Sequence, residues 1–179
     1  MPDCPKALGV CKVQHSTNSP AKLTIFRIEI MDRLSTNDSM TEKILIVQAG
    51  DADLSRLRAM NDALGHAKIP DYFEQCLERQ QNGDLIMLIV CFGDVDMGYA
   101  ILNWRPKYRP FQTQGIPEIQ DLNILEHYRR QGLATELITH CETLAREKGC
   151  HNIGIGVGLH RSFGPAQRLY VKMGYVPDG

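Results

Sequence analysis

Apolar positions along this chain switch several times between a period of two and a period of three to four, and each switch marks an element. Residues 43–48 (KILIVQ) read as a strand. Asp51 or Asp53 can then cap a helix that carries Leu54, Leu57, Met60 and Leu64 at helical spacing. Pro70 is expected in the first turn of a second helix, which buries Phe73, Cys76, Leu77 and the stem of Gln80 and ends at Asn82-Gly83. Two β-rich runs, 84–92 and 96–104, are split by Gly93-Asp94 and predict a hairpin. Residues 105–117 read as a loop, and a strand follows over about 118–125. Over 132–148, Leu133, Leu137, Ile138, Cys141, Leu144 and Ala145 share one helical face, and Gly149 stops the helix. A short buried strand at 152–157 precedes a last helix with Pro165 in its first turn. That helix carries Phe163, Ala166, Leu169, Tyr170 and Met173, with Gly174 as its cap. The order β-α-α-β-β-β-α-β-α predicts an α/β protein with a mixed sheet and helices on its faces, without internal repeats.

Residues 1–39 have a different texture. They mix Cys, Pro, Ser, Thr and Asn around one alternating patch, residues 23–30, and residues 35–39 read as a linker. A domain over 40–179 is therefore expected, with 1–39 an extension that is either disordered or foreign to it.

The composition narrows the class. A chain of 179 residues with 43% hydrophobic and 23% charged residues suits one soluble globular domain. A formal net charge of −1 argues against a general attraction to nucleic acid or anionic membrane, so any anion site must be local. The longest apolar run, residues 85–92, is too short to span a bilayer, and no secretory pattern follows Met1. Six scattered cysteines within apolar patterns predict reduced thiols and a cytoplasmic protein. His140, Cys141, Cys150 and His151 lack zinc-type spacing, so no metal is expected.

The most informative stretch is residues 122–135, LNILEHYRRQGLAT. A strand runs through a basic, glycine-containing turn into a long amphipathic helix. Such a junction presents free backbone N–H groups and the positive end of the helix dipole at one point, which suits a phosphate. Arg129 and Arg130 lie at that point. Gly132 removes a side chain where a ligand would approach, and Ala134 keeps the helix start uncrowded. An ordinary βα turn with solvated arginines is the plainer alternative.

This junction resembles the acetyl-CoA-binding signature of the GNAT superfamily of N-acetyltransferases, which reads L-x-V-x-P-x-Y-R-x-x-G-x-G/A. Leu122, Ile124, Tyr128, Arg129, Gly132 and Ala134 fall in register, with Glu126 in the proline position. A second family pattern, A-x-x-L-Y-x-K-x-G-[FY], is matched by Ala166, Leu169, Tyr170, Lys172, Gly174 and Tyr175. Phe163 stands where the family often has an asparagine. The resemblance covers about residues 42–179 and implies a GNAT-type acyltransferase fold. Two further C-terminal strands of the family are not expected, because the sequence stops at Pro177-Asp178-Gly179. Either the sequence is a truncated product, the favoured reading, or the exposed sheet edge is covered by residues 23–30 or another chain.

The resemblance also implies a cofactor site. The backbone of Arg129, Arg130, Gln131, Gly132, Leu133 and Ala134, continuing to Thr135, would cradle the CoA pyrophosphate, and Leu122, Asn123 and Ile124 would pair with the pantetheine arm. An amine would attack the thioester of acetyl-CoA directly. A lysine-type amine, with pKa ≈ 10.4, is protonated at neutral pH, so a base or desolvation must supply the nucleophile. Tyr170, in the family's Leu-Tyr position, is the candidate acid for the departing thiolate; a core tyrosine is the alternative. Glu118 and Asp121, on the strand before the turn, are candidate proton acceptors or else surface carboxylates.

Two other features weigh less. The glycines of residues 154–158 (GIGVG) lack dinucleotide-fold spacing, and Trp104, Arg105, Lys107, Tyr108, Arg109 and Phe111 form a basic, aromatic loop that either lines an acceptor site or is simply exposed. The sequence thus predicts an N-acetyltransferase acting on a primary amine, a small molecule before a protein, with no nucleic-acid or membrane partner and a homodimer left open. A catalytically weak CoA-binding module and, further behind, a nucleotide-dependent oxidoreductase are the alternatives.

Overall fold

A computed structural model describes the backbone of residues 10–14 and the whole of residues 43–177. The patch at 23–30 and the linker at 35–39 lie outside the described residues. Five strands form the body of one mixed sheet: β2 (Ile44–Gln48), β3 (Leu85–Phe92), β4 (Val95–Asn103), β5 (Glu118–Ile124) and β6 (Asn152–Gly156), in that order. Neighbours are antiparallel except for β5 and β6, which run parallel. Beyond β6 lie β1 (Val10–Gln14), antiparallel to it, and then the two-residue β7 (Val176–Pro177).

Among the described residues five helices cover the sheet: α1 (Leu54–Ala63), α2 (Tyr72–Gln81), α3 (Arg109–Gln114), α4 (Leu133–Glu147) and α5 (Gly164–Lys172). Strand alternation divides the apolar side chains between two layers. Met87, Ile89, Tyr99 and Ile101 pack with Leu57, Met60, Phe73 and Leu77 of α1 and α2. Leu88, Val90, Ala100, Leu102, Ile153 and Ile155 pack with Leu133, Leu137, Ile138 and Cys141 of α4 and Tyr170 of α5. A smaller cluster of Phe111 and Ile116 carries Tyr108 edge-on to the Phe111 ring.

Several local expectations are corrected. Neither Asp51 nor Asp53 caps α1 with its side chain: both lie in a 3-10 turn, and the Asp53 carboxylate accepts from the Gly50 N–H at 2.9 Å. Arg56 ties that turn to the sheet, donating to Asp53 and to both oxygens of Asp96 on β4. Pro70 stands ahead of α2 rather than in its first turn, because Asp71 takes a left-handed conformation (φ 58°) that breaks the chain direction. Residues 105–117 are not wholly loop: α3 forms there because Phe111 finds a buried position over β6. The described elements therefore include β1, α3 and β7 beyond the expected order. No helix among the described residues is long and apolar enough to cross a membrane.

The position of α3 depends on Gly154. A Cβ built there would lie 1.9 Å from Cε2 and 2.2 Å from Cζ of Phe111. Phe111 is fully buried and cannot swing away. Gly154→Ala is therefore expected to destabilise the protein by about 1–3 kcal/mol, the usual cost of overpacking a filled core. Gly158→Ala meets Phe163, whose half-exposed ring can move, and should cost less. Urea midpoints of the two variants give the comparison; equal midpoints would contradict the proposed wedge.

Candidate functional site

The central feature is where β5 leaves β6. Their parallel pairing consists of Glu118 with Gly154 and Ile119 with Ile155. Beyond Ile119, β5 continues to Ile124 paired with β4 on one side and, among the described residues, with no strand on the other. An interior strand thus offers a stretch of backbone donors and acceptors to an extended ligand, the mode by which a segment completes a sheet.

A β-bulge sits at the same place. Tyr99 opposes Asn123 and Ile101 opposes Gln120, so β5 carries one residue more than β4 across Ala100. Asp121 is left-handed (φ 48°), a conformation Asp tolerates better than most residues. The extra residue changes which side chains face which layer. Leu122 and Ile124 join the α4/α5 layer, as Ile119 does, whereas an unbroken alternation from Ile119 would send them to the opposite face. Opposite the bulge, Gly98 lets the β5 backbone come close: a Cβ there would fall 2.3 Å from the Asn123 carbonyl oxygen.

After Ile124, a 3-10 turn (Glu126–Tyr128) leads into the basic stretch and α4. Arg130 (φ 62°) and Gly132 (φ 85°) are both left-handed. Successive turn amides of this kind form a concave anion-binding nest. The first helical bond runs from the Glu136 N–H to the Gly132 carbonyl at 3.1 Å, so the N–H groups of Leu133, Ala134 and Thr135 have no carbonyl of their own helix. A Cβ at Gly132 would meet nothing within 4 Å; the backbone angle and the open space above it, rather than crowding within the chain, call for glycine. Arg129 does not extend outward, since its Nε donates to the Ile124 carbonyl at 3.0 Å, and the Gln131 amide donates to the His127 carbonyl. Arg130 is the exposed arginine of the turn without such a tie among the described contacts.

The three candidate catalytic side chains occupy different surroundings. Tyr170 is buried on α5, in the layer shared by Leu122, Ile124, Val157 and Leu133, with its ring tilted against Tyr175 at 6.1 Å. Glu118 is 8% exposed and lies across the sheet from that layer: its Oε1 faces the open Cα of Gly156, on the side where Gly154 receives Phe111. Burial pushes its carboxyl above the ordinary range, and the Gln120 amide, donating to Oε2 at 2.7 Å, pulls it partly back. Asp121 is occupied differently. Lys68 Nζ lies 2.7 Å from each of its oxygens, and the Tyr72 hydroxyl donates to Oδ2. Burial, then the Asp121 charge, keep Tyr72 protonated by raising its pKa.

Sequence reasoning missed Lys68, Tyr72, Asn103 and Gln120. They are single polar residues on separate elements, and no motif joins them. One signal was available: Asn103 and Gln120 are polar positions inside runs otherwise read as strands. Other features resolve as structure. Trp104 stacks under the Lys148 ammonium at 4.1 Å, Arg105 pairs with Asp84 at 3.0 Å, and Phe111 is in the core, so the aromatic part of this loop packs into the fold while Arg105, Lys107 and Arg109 are exposed. The glycines at 154, 156 and 158 make room for Phe111, the Glu118 carboxyl and Phe163, and none is left-handed. They form no phosphate loop. Among the described residues no group of three or more His, Cys, Asp or Glu side chains could hold a metal. Cys141, buried in the core, has its thiol pushed up to about 12 by burial.

Comparison with known proteins agrees with this geometry. Solved structures of similar fold include AAC(6')-Iy bound to the bisubstrate analogue CoA-S-monomethyl-acetylneamine, with 20% identity, a TM-score of 0.63, and coverage of 73% of this chain and 89% of that one. A Trypanosoma brucei acetyltransferase has 19% identity and a TM-score of 0.57 over 75% and 93% of the two chains. A predicted acetyltransferase from Clostridium acetobutylicum solved with acetyl-CoA has 20% identity and a TM-score of 0.54 over 74% and 90%. The fold is that of an acetyltransferase. The sequence model of the acetyltransferase (GNAT) family matches residues 55–175, and the chain belongs to that family. A curated relative, the chloroplastic GCN5-related N-acetyltransferase 4 of Arabidopsis thaliana, is 29% identical over 86 residues, covering 45% of this chain. The chain matches 29% of that relative's length.

Burial of Glu118 carries a thermodynamic consequence. Its folded pKa lies above the unfolded value, so the folded state binds the extra proton between the two and loses stability as pH rises through that window. Glu118→Gln removes the charge and keeps the shape. It should raise stability at pH 8, with the gain fading as pH falls through the carboxyl's range towards pH 4, because the folded state takes up its proton before the unfolded state does. Denaturant titrations at the two pH values measure this. A gain independent of pH would mean that the carboxyl is not desolvated.

Proposed function

We propose that the chain transfers acetyl from acetyl-CoA to a primary amine. The observation that carries this is the parting of β5 from β6 directly ahead of the 129–134 turn. The arrangement suits a ligand with an anionic end and an extended amide-bearing arm. Acetyl-CoA has both, and CoA or acetyl-CoA is bound in the AAC(6')-Iy and Clostridium acetobutylicum structures of the same fold. The pyrophosphate would take the amides of Arg130, Gln131, Gly132, Leu133, Ala134 and Thr135, with Arg129 supporting the turn. The arm would lie along Leu122, Asn123 and Ile124, which sets the thioester near Gln120 and Asp121.

The amine nitrogen then attacks the thioester carbonyl, a tetrahedral oxyanion forms, and its collapse expels the CoA thiolate. Glu118 is the stronger candidate to take the amine proton, directly or through one water. Burial raises its pKa and so makes it a stronger base than an exposed carboxylate, and Gln120 engages only one of its oxygens. Asp121 is the weaker base, because Lys68 and Tyr72 already engage both its oxygens. Tyr170, in the layer on the other face of the parting strands, is the proposed proton donor to the thiolate. The acceptor is read as a small-molecule amine, and a protein amine is the second reading.

A desolvated, hydrogen-bonded carboxyl beside the parting favours an enzyme over a passive CoA-binding module. Acetyl-CoA at 100 times its dissociation constant should stabilise the fold by about 2.7 kcal/mol, with NAD giving no shift. Release of free CoA thiol would then be followed over a panel of kanamycin, tyramine, spermidine and a lysine peptide. Tyr170→Phe should lower kcat about 10- to 1,000-fold with little change in acetyl-CoA affinity. Absence of an acetyl-CoA shift would exclude the proposed cofactor; unchanged turnover in Tyr170→Phe would remove that residue from the mechanism.

A further inference from the structure

We infer that Asn103 and Gln120 are positioning residues that form a one-directional amide relay, fixing Oε2 of Glu118 and leaving Oε1 as the oxygen that exchanges a proton. The inference rests on the reading of Glu118 as the base, and it assigns roles to two residues outside the motifs.

The direction of the relay follows from its far end. Asn103 Oδ1 accepts from two groups that can only donate: Arg79 Nη2 on α2 at 3.2 Å and the backbone N–H of Arg105 at 3.0 Å. That fixes the orientation of the Asn103 amide, so its NH2 must point the other way. It donates to Gln120 Oε1 at 3.2 Å. The Gln120 amide is fixed in turn, and its NH2 donates to Glu118 Oε2 at 2.7 Å. Two neutral amides thereby connect a guanidinium on one helix to a carboxylate on the central strand. Every link is buried or half-buried, and Asn103 is 2% exposed, so water does not compete strongly for the bonds.

The surroundings leave Gln120 as the side chain that opposes burial at Glu118. From β6, Gly154 and Gly156 contribute no side chain, and α3 turns Phe111 towards the sheet. On β4, the cross-strand partner of Glu118 is Asn103 itself. The charged groups nearest the relay, Arg79 and Arg105, reach it through the oxygen of Asn103 and through backbone, and the Arg105 side chain pairs outward with Asp84. A donor on Oε2 favours the ionised carboxylate and places any added proton on Oε1, beside the open Cα of Gly156.

Asn103→Asp keeps size and both acceptor contacts but cannot donate. The Gln120 amide would then turn its NH2 towards the new carboxylate and present its carbonyl to Glu118. Asn103→Leu breaks the chain without adding charge, and Gln120→Met removes the last donor at a half-buried position that tolerates the change. In Gln120→Met and Asn103→Asp the Glu118 carboxyl should titrate higher, the latter also through its added charge, and Asn103→Leu, which frees the Gln120 amide to turn but keeps its NH2, should give a smaller rise. This is read by 13C NMR of carboxyl-labelled glutamate in the full chain, assigned by the loss of one signal in Glu118→Gln. The acid limb of kcat/KM, measured by thiol release with the best acceptor of the panel, should move up by the same amount. A carbon titration unmoved in folded variants overturns the relay. A shifted carbon titration with an unshifted rate profile supports the relay and removes Glu118 as the base. Should Asn103→Leu fail to fold, Asn103→Asp and Gln120→Met together decide between these outcomes.

Discussion

One extra residue in β5 organises the site. The bulge at Asp121 lets the strand keep its pairing with β4 while exchanging the faces of everything that follows. Without it, Leu122 and Ile124 would lie on the α1/α2 side, and the α4/α5 layer would lose the side chains that connect it to the turn. The same irregularity coincides with the end of pairing to β6. A regular sheet in this position would close over its own hydrogen bonds and leave no backbone for a ligand. The left-handed backbone at Asp121 carries a cost of order 1 kcal/mol. The paired Lys68 ammonium and Tyr72 hydroxyl, together with the Asn123 amide donating to the Asp121 carbonyl at 2.9 Å, offset it by holding the residue from three sides.

Next to it, the glycines of β6 perform a different task. Strands rich in glycine are weak because they have nothing to pack. Here each missing side chain is replaced by a neighbour's, Phe111 over Gly154 and the Glu118 carboxyl over Gly156; just past the strand, Phe163 does the same over Gly158. The first substitution anchors α3, and the second gives Glu118 a pocket that excludes water without a charged partner. The raised pKa of Glu118 is thus a product of sheet construction, not of a dedicated catalytic loop.

Much of this architecture was legible in the sequence. The long helix α4, the β3–β4 hairpin and the βα junction followed from periodicity and glycine placement, because local spacing alone decides them. The N-terminus of α2 did not, since a left-handed Asp71 outweighed the usual preference for proline in a first turn. Helix α3 was read as loop because six residues hold too little periodicity, and a tertiary contact with Gly154 fixes it. The bulge was invisible for the same kind of reason: an extra residue changes the side-chain alternation without any composition that announces it. The carboxylates Glu118 and Asp121 were found, but their different environments depend on Gln120, Lys68 and Tyr72, which meet them across the fold.

The two halves of the proposed site therefore differ in how they are encoded. The cofactor half is built of backbone: unpaired strand amides, left-handed turn residues and the free N–H groups of a helix start. Backbone geometry needs particular residues at a few fixed spacings, notably Gly132, and those spacings survive in a linear motif. The acceptor half is built of side chains on α2, β4, β5 and the segment ahead of α2, each within reach of the next only after folding. Their identities can vary in concert while the geometry persists, provided each donor still meets an acceptor. On the proposed reading, specificity for the amine would belong with residues such as Lys68, Tyr72 and Asp121, which meet beside the bulge. A change of acceptor would then require changes there and leave the 129–134 turn untouched.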